Sequence, residues 1–278
     1  MARLSAFADE VSDDFQEQVD YLVAEGIGHI EIRFVDRKNV MDLSEPELRD
    51  ARQMLADRGL GVSAIGSPIG KVRIDEPFEP HLDRCRHAID LAAFFDAPFV
   101  RIFSYYSPEG GRIESHRDEV LERMGRKVEL LEGRDAVLVH ENETGIYGHS
   151  AASCVDMVRS VGSPKLKLAY DPGNFVWGQE IADNVAECWP LMKPHVAHVH
   201  IKDWTLGVDA VGAIPGEGDG QIRALLAELA ATDYDGFLTL EPHLRSGGQF
   251  GGDTGPELFS AATSAVRALC RDVGLACS

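Results

Sequence analysis

The feature that most constrains the fold of this chain is a regular alternation of short apolar runs with helical patterns. The apolar runs are rich in Val, Ile, Leu and Phe, and each begins roughly one strand plus one crossover helix after the last. They are RLSAFA (3–8), GHIEIR (28–33), LGVSAIG (60–66), PFVRIF (98–103), AVLVHE (136–141), KLKLAYD (165–171), VAHVHIKD (196–203) and FLTLE (237–241). Strict alternation implies a parallel sheet, and eight units favour its closure. We therefore predict an α/β fold, a single (β/α)8 TIM barrel.

The helical patterns carry recognisable end signals. In the first, Asp13 is a candidate N-cap, Val23 belongs to the apolar face, and the pattern stops at Gly26. In the second, Ser44 and Glu47 have the spacing of a capping box. Further helices are predicted at about 79–96, 116–132, 151–161, 183–193, 220–231 and 256–274.

Length and charge favour one large domain that binds neither nucleic acid nor membranes. A chain of 278 residues is ordinary for an α/β barrel of about 250 residues, so we expect one domain over 1–278. The net charge of −19 argues against a DNA groove or an anionic membrane surface. The chain shows no signal pattern and no apolar run of the roughly 18 residues that span a membrane, which predicts a cytoplasmic protein. Its five cysteines form no CxxC pair, so we expect buried, reduced thiols.

Acidic or imidazole side chains stand at the ends of four of the apolar runs. They are Glu141, Asp171, His200 and Glu241. Because the carboxyl ends of barrel strands meet at one rim, all four would lie close together. A single acid at a strand end is often only a cap for the next helix, but three at matching positions and a histidine favour a divalent-metal site.

The seventh run offers two histidines that point the same way, since His198 and His200 are two residues apart. We choose His200 as the ligand because it lies nearer the rim. We expect the deeper His198 to be a hydrogen-bonded or supporting imidazole, and keep it among the candidate substrate-binding residues. The oxygen-rich ligand set suits Mn²⁺, Mg²⁺ or Co²⁺ and is compatible with Zn²⁺; manganese is our first choice.

Four segments, HENETGIYGH, YDPGNF, HVHIKD and TLEPHL, resemble the sugar phosphate isomerase/epimerase family. These xylose isomerase-like TIM barrels include D-tagatose 3-epimerase, inosose dehydratase and endonuclease IV. The resemblance covers essentially the whole chain and implies one divalent ion held by the four residues above. It also implies that Glu141 and Glu241 flank the reacting carbon as its acid and base.

The chain departs from this family at two positions. Asn174 stands where many epimerases and endonuclease IV have a histidine, and Tyr147 stands where tagatose-type epimerases have a glutamate. The role of that glutamate passes to Glu143 or His149, or is absent.

Several residues beside the predicted ligands are candidates for binding substrate. The main ones are Lys202, Asn174, Lys71, Arg33, His198, Glu143 and Trp177, and the weaker ones are Glu10 and Asn39. His149 and His243 either line the mouth or face solvent. The segment GEGDG at 216–220 lacks the features of a phosphate-binding loop, so we expect a flexible turn in which Asp219 caps the next helix, and no nucleotide cofactor.

The sequence favours a metal-dependent isomerase or epimerase of a small carbohydrate or polyol that works through an enediolate. The nearest alternative is a dehydratase of a keto-inositol or a dehydroshikimate-type compound, which uses the same metal. A phosphodiester-cleaving enzyme comes third, because the acidic surface would repel DNA. A sugar-binding or inactive partner subunit is the alternative from another class. A homo-oligomeric state is compatible with each of these four candidate functions.

Overall fold

A computed structural model of the protein describes residues 1–208, 210–247 and 251–278. Within these ranges eight strands form the central sheet. They are β1 (Arg3–Ala6), β2 (His29–Ile32), β3 (Gly61–Ile65), β4 (Phe99–Ile102), β5 (Val137–Glu141), β6 (Leu166–Tyr170), β7 (Val196–Ile201) and β8 (Phe237–Leu240). All eight predicted apolar runs are therefore strands.

The sheet is a closed parallel barrel with the spatial order β1-β8-β7-β6-β5-β4-β3-β2. The closing pair joins the two ends of the chain, with a register that runs from Arg3 opposite Phe237 to Ala6 opposite Leu240. Since every neighbouring pair is parallel, all carboxyl ends meet at one rim. The predicted (β/α)8 TIM barrel is confirmed. A short antiparallel hairpin, Phe34–Val35 with Lys38–Asn39, stands beside the end of β2.

Helices follow the strands around the barrel. They are α1 (Phe15–Glu25), α2 (Glu45–Asp57), α3 (Phe78–Phe94), α4 (Arg117–Glu129), α5 (Ala151–Val161), α6 (Pro172–Gln179), α7 (Asn184–Glu187), α8 (Trp189–Met192), α9 (Ile222–Ala230) and α10 (Pro256–Val273). Short 3₁₀ turns occupy Ala8–Glu10, Val40–Asp42, Ile113–His116, Tyr147–His149 and Lys193–His195. The described residues include no helix long and apolar enough to cross a membrane.

The first helix begins one residue later than the sequence suggests. Asp14 is its N-cap and accepts a hydrogen bond from the Glu17 amide at 3.1 Å, whereas Asp13 pairs with Arg37 on the surface. Val23 is 43% exposed because it lies one position round the helix from the buried face. The capping box of α2 is confirmed, with the Ser44 amide donating to Glu47 Oε2 at 2.8 Å.

Two predictions about the later helices are wrong, and one helix was not predicted. The pattern at 183–193 is two short helices, α7 and α8, because Pro190 cannot donate a helical hydrogen bond. Helix α6 was not predicted, since its eight residues are buried on most sides and carry no clear apolar stripe. Asp219 does not cap α9: Gln221 holds the N-cap position, and Asp219 accepts instead from the Leu206 amide.

The apolar core fills the layer between the barrel and its helices, while part of the barrel interior is polar. Ser5, Glu31, Ser63 and Thr239 are fully buried inside the sheet. All five cysteines are free thiols, four of them buried and Cys277 partly exposed. The buried faces of the helices therefore cover the outside of the barrel, and part of its interior carries polar groups toward the rim.

Candidate metal centre

The structure brings the four predicted ligands together at the carboxyl rim. Glu141 ends β5, His200 lies in β7, and Asp171 and Glu241 directly follow β6 and β8. One ligand atom from each lies within 4.8 Å of all the others. His200 Nδ1 is 3.3 Å from Glu141 Oε1, 3.5 Å from Glu241 Oε2 and 3.8 Å from Asp171 Oδ2. All four side chains are buried.

The chemistry of these atoms fits a divalent cation. Asp171 Oδ2, Glu241 Oε2 and His200 Nδ1 are buried and have no hydrogen-bond partner. Buried polar atoms without partners are costly and rare in native proteins. Three carboxylates and one imidazole nitrogen are ligands that Mn²⁺ and Mg²⁺ accept. The cluster could therefore hold a metal ion, which would satisfy the unpaired atoms together.

Asp171 serves the helix and the cluster at once. Its Oδ1 accepts a hydrogen bond from the Asn174 amide at 3.0 Å and so caps α6, while Oδ2 faces His200. An acid at a strand end can cap the next helix or bind a metal. In Asp171 one oxygen, Oδ1, caps the helix, and the other, Oδ2, faces the cluster.

The cluster has a strongly negative field. Burial alone would lower the pKa of His200, but the Glu141 and Glu31 carboxylates raise that pKa well above its usual value. Burial opposes ionisation of Glu241 as well, yet Lys202 and the neighbouring histidines hold its pKa well below the usual range. Burial raises the pKa of Asp171, whereas the pKa of Glu141 and of Glu241 is lowered, so these two glutamates carry the negative charge that attracts a cation.

A fourth carboxylate, Glu31, lies behind the histidines; its sequence position places it on the same strand face as Arg33, but its contact with the histidines was not predicted. Glu31, on β2, is fully buried, and its Oε2 accepts from His198 Nε2 at 2.7 Å and lies 3.4 Å from His200 Nε2. His198 also contacts Thr239 Oγ1 at 3.1 Å. His198 therefore lies beneath the cluster, and it is not among the described residues that line the pocket above the cluster. A lone acid inside the apolar run GHIEIR was the available signal.

A pocket opens directly above the cluster, and Glu141 and Glu241 form part of its wall. Its empty space is about 590 Å³, a volume that includes the open mouth. Among the predicted substrate-binding residues, Lys202, Lys71, Arg33 and Glu143 line it, as does the weaker candidate Asn39. Arg101 lines it as well and was not predicted, although it is the only charge in the run PFVRIF.

Other predicted residues support the site without lining the pocket. Asn174 is buried; its Nδ2 donates to Glu141 Oε1 at 3.1 Å and its Oδ1 accepts from Lys202 Nζ at 3.0 Å. It therefore ties a predicted ligand to a predicted substrate contact. Trp177 packs its ring 5.9 Å from that of Trp204 and is not among the described residues of the pocket wall.

His149 and His243, for which the sequence allowed either the mouth of the barrel or solvent, have different surroundings. His149 is partly buried, and its Nδ1 lies 2.9 Å from the Ile146 carbonyl oxygen. His243 does not face solvent: it is 1% exposed, with Nε2 3.2 Å from Glu10 Oε1 and 3.4 Å from Glu241 Oε1. Glu10, a weak candidate, thus belongs to the surroundings of the cluster.

Fold and site together define a (β/α)8 barrel with a buried cluster of carboxylates and histidine at its carboxyl rim. The chain belongs to the xylose isomerase-like TIM barrel family, whose model matches residues 19–269. In a comparison with curated proteins, no relative matches the chain.

Solved structures of similar fold include proteins with different reactions. A xylose isomerase-like TIM barrel protein from Mycobacterium smegmatis, in complex with magnesium, aligns over 99% of this chain and 97% of its own, with 18% identity and a TM-score of 0.75. The probable 3-DHS dehydratase AsbF from Bacillus anthracis aligns over 96% and 99%, with 17% identity and a TM-score of 0.74. D-psicose 3-epimerase from Clostridium cellulolyticum H10, with D-tagatose, aligns over 99% and 100%, with 13% identity and a TM-score of 0.71. At such identities the likeness establishes the fold alone.

Proposed function

We propose that the protein is a divalent-metal-dependent isomerase or epimerase of a small sugar, sugar phosphate or polyol derivative. The observation that carries this proposal is the pair of buried glutamates, Glu141 and Glu241, in the wall of one pocket. Their strands, β5 and β8, are separated by β6 and β7 in the barrel. The two carboxylates therefore approach the pocket from different parts of the rim.

This arrangement suits proton transfer at a carbon beside a carbonyl. A divalent cation held by Glu141, Asp171, His200 and Glu241 would stabilise the negative charge that develops on the substrate oxygen, by several kcal/mol. One glutamate removes the proton and the other returns it, which inverts a stereocentre; return to the adjacent carbon interconverts aldose and ketose. Lys202, whose Nζ lies 3.7 Å from Asp171 Oδ2 and 4.0 Å from Glu241 Oε2, would donate a hydrogen bond to a substrate oxygen.

The proposed cofactor is one divalent ion, with manganese as the first choice and Mg²⁺, Co²⁺ or Zn²⁺ as alternatives. Support comes from the three oxygen ligands and from the absence of cysteine among them. The related barrel with magnesium is consistent with an oxygen-loving ion. Metal analysis of the purified protein tests this choice.

A dehydratase is the second candidate, and one contact favours it. Lys71 Nζ and Glu143 Oε2 are 3.1 Å apart in the pocket wall, so a further proton donor is at hand for a departing hydroxyl. Elimination would give a product lighter by one water, whereas isomerisation leaves the mass unchanged. Mass spectrometry of the product therefore separates the two reactions.

The deciding experiment measures exchange of solvent deuterium into a panel of ketoses, inososes and related acids. We expect exchange with the metal-loaded protein, none after chelation, and restoration when the ion is returned. Glu241→Gln should fold normally and lose at least about a hundredfold in rate, since a general acid or base contributes roughly 10²–10⁴-fold. Glu187→Gln, at an exposed position on α7, is the matched control. Full exchange by Glu241→Gln would refute its role.

A further inference from the structure

The pocket wall is rich in cations although the chain as a whole is acidic. The protein has 46 Asp and Glu against 27 Lys and Arg. Around the pocket this balance is reversed among the described residues. Four cations, Arg33, Lys71, Arg101 and Lys202, stand with the three carboxylates Glu141, Glu143 and Glu241. The pocket wall thus presents cations to an anionic ligand, while Asp9, Glu10, Glu31 and Asp171 are not among its described residues.

Two buried aromatic rings hold three of these cations in a row. The Arg33 guanidinium carbon lies 4.3 Å from the centroid of Phe7, and that of Arg101 lies 4.8 Å from the same ring. Arg101 is also 5.1 Å from the ring of Phe103, over which Lys71 Nζ lies at 4.3 Å. Contacts with ring faces position the charges without using their N–H groups. The row is thus preorganised for hydrogen bonding.

Each of the two arginines has one buried N–H group from which no described residue accepts a hydrogen bond. Their side chains are only 5% and 6% exposed, yet Arg33 Nη2 and Arg101 Nε have no hydrogen-bond partner. Glu10 Oε1 lies 3.8 Å from Arg33 Nη2 and Glu31 Oε1 lies 4.0 Å from Arg101 Nε, and both distances are too long for a hydrogen bond. The two guanidinium groups in the pocket wall are therefore incompletely paired, which favours an anionic ligand beside them.

The predicted metal ligands neutralise part of the charge of these arginines, and Arg33 Nε also donates to Asp9 Oδ2 at 2.9 Å. Arg33 Nη1 donates to Glu241 Oε1 at 2.9 Å, and Arg101 Nη1 donates to Glu141 Oε2 at 3.2 Å. When a divalent ion shares the charge of these glutamates, the arginines are left with more uncompensated positive charge. Binding of the cation and binding of an anion should therefore strengthen each other.

We propose that Arg33, Arg101 and Lys71 form an anion-binding subsite, so that the substrate is a polyhydroxy carbonyl compound with a carboxylate or phosphate group. The proposal rests on the proposed function insofar as this pocket is the substrate site. The fold keeps Lys71 in place through Gly70, whose φ is +100° and where a Cβ would lie 2.0 Å from the Phe103 carbonyl oxygen. The row of cations then defines one end of the pocket and the metal ligands its floor.

The test titrates the full-length protein with inorganic phosphate, malonate and neutral xylitol by calorimetry, with and without Mg²⁺. We expect saturable binding of an anion that is tighter with Mg²⁺ and at least tenfold tighter than binding of xylitol. The phosphate and malonate arms distinguish a phosphorylated substrate from a carboxylic acid. Lys71→Met should weaken anion binding about tenfold, since a charge-assisted hydrogen bond is lost, and Lys71→Arg should retain it.

Lys193→Met is the matched control, because Lys193 pairs with Glu228 at 2.9 Å outside the pocket. Equal anion binding by wild type and a folded Lys71→Met would mean that the anion binds the metal directly, and the subsite would be rejected. Failure of every anion to bind would reject it as well. Deuterium exchange into neutral ketoses without anion binding would reject the anion subsite and leave the proposed function intact. Anion binding without exchange into any compound would support the anion subsite and contradict the proposed function.

Discussion

Glu31 contacts both histidines of β7 from across the barrel. Its Oε2 lies 3.4 Å from His200 Nε2, on the side of the ring opposite the predicted ligand atom Nδ1. A carboxylate in this position favours the tautomer with the proton on Nε2, which leaves Nδ1 free to bind a cation. Glu31 is therefore a positioning residue for the candidate metal centre.

Replacing Glu31 by Gln should weaken metal binding while the fold is retained. Partners behind a metal-ligating histidine typically contribute 10- to 100-fold in affinity, so we expect a loss of about that size. Metal titration by calorimetry measures it, and nitrogen NMR of the histidine rings reports the tautomer of His200 in the Mg²⁺-loaded protein. Glu187→Gln serves as control. An unchanged affinity and tautomer would remove Glu31 from this role.

Lys127, on α4, is a buried lysine remote from the metal ligands. Its Nζ lies 4.3 Å over the Tyr105 ring and 3.8 Å from Met124 Sδ, and burial lowers its pKa to about 8. An ordinary lysine has a pKa near 10.5. Between these values the unfolded chain binds more protons than the folded protein, so the free energy of unfolding rises with pH.

The change in stability expected from Lys127 is about 1 kcal/mol between pH 7 and pH 9. Urea unfolding at the two pH values measures it. Lys127→Met, which keeps the length of the side chain and removes the charge, should lack this contribution. The same pH response in both proteins would contradict a lowered pKa of Lys127 in the folded state.

Among the elements, helix α6 depends on the residue that also faces the metal cluster. Asp171→Asn keeps an oxygen that can accept from the Asn174 amide but replaces the carboxylate, so we expect lost metal binding with little loss of metal-free stability. Asp171→Ala removes the cap as well and should be less stable than the Asn variant by about 1 kcal/mol. Urea unfolding and metal titration separate the two roles. Equal stability of both variants would show that the cap contributes nothing.

The loop after β7 shows why loops were predicted less well than strands. The segment 216–220 was expected to be a flexible turn, but it wraps a buried carboxylate. Asp203 accepts backbone hydrogen bonds from Gly216 at 2.7 Å, Gly218 at 3.1 Å and Gly220 at 2.8 Å. A Cβ at Gly218 would lie 2.5 Å from Asp203 Oδ1, so the glycines permit close approach. No local periodicity signals a contact between segments this far apart in the chain.

At the scale of the whole molecule, the barrel closes through strands from opposite ends of the chain. Because β1 pairs with β8, neither half of the sheet is complete without the other. We propose that residues 1–278 unfold as one domain, in a single cooperative transition. Scanning calorimetry tests this, and two resolved transitions would contradict it.

A bound ion should stabilise the whole barrel, because its four ligands come from strands distributed along the chain. At a metal concentration 100 times the dissociation constant, the expected gain is about 2.7 kcal/mol. Thermal unfolding of wild type with and without Mn²⁺ measures this gain, and Asp171→Asn is the control that should not respond. If the melting temperature of the wild type does not change with any divalent ion tested, this would argue against a metal centre.

The alternation of strands and helices and the placement of four ligands at strand ends were determined by the sequence itself. Both follow from local periodicity: parallel strands bring their carboxyl ends to one rim, so Glu141, Asp171, His200 and Glu241 meet there whatever the details of packing. Their convergence in the structure has this simple cause.

Only the tertiary structure decided which side chains surround that cluster. Glu31 reaches the histidines of β7, and Arg101 reaches Glu141, through contacts across or between strands. Such contacts depend on strand register, including the shift between Ile30 and Glu31 where β2 pairs with β3. Register is set by packing of the closed barrel, and a pattern read along one segment carries no information about it.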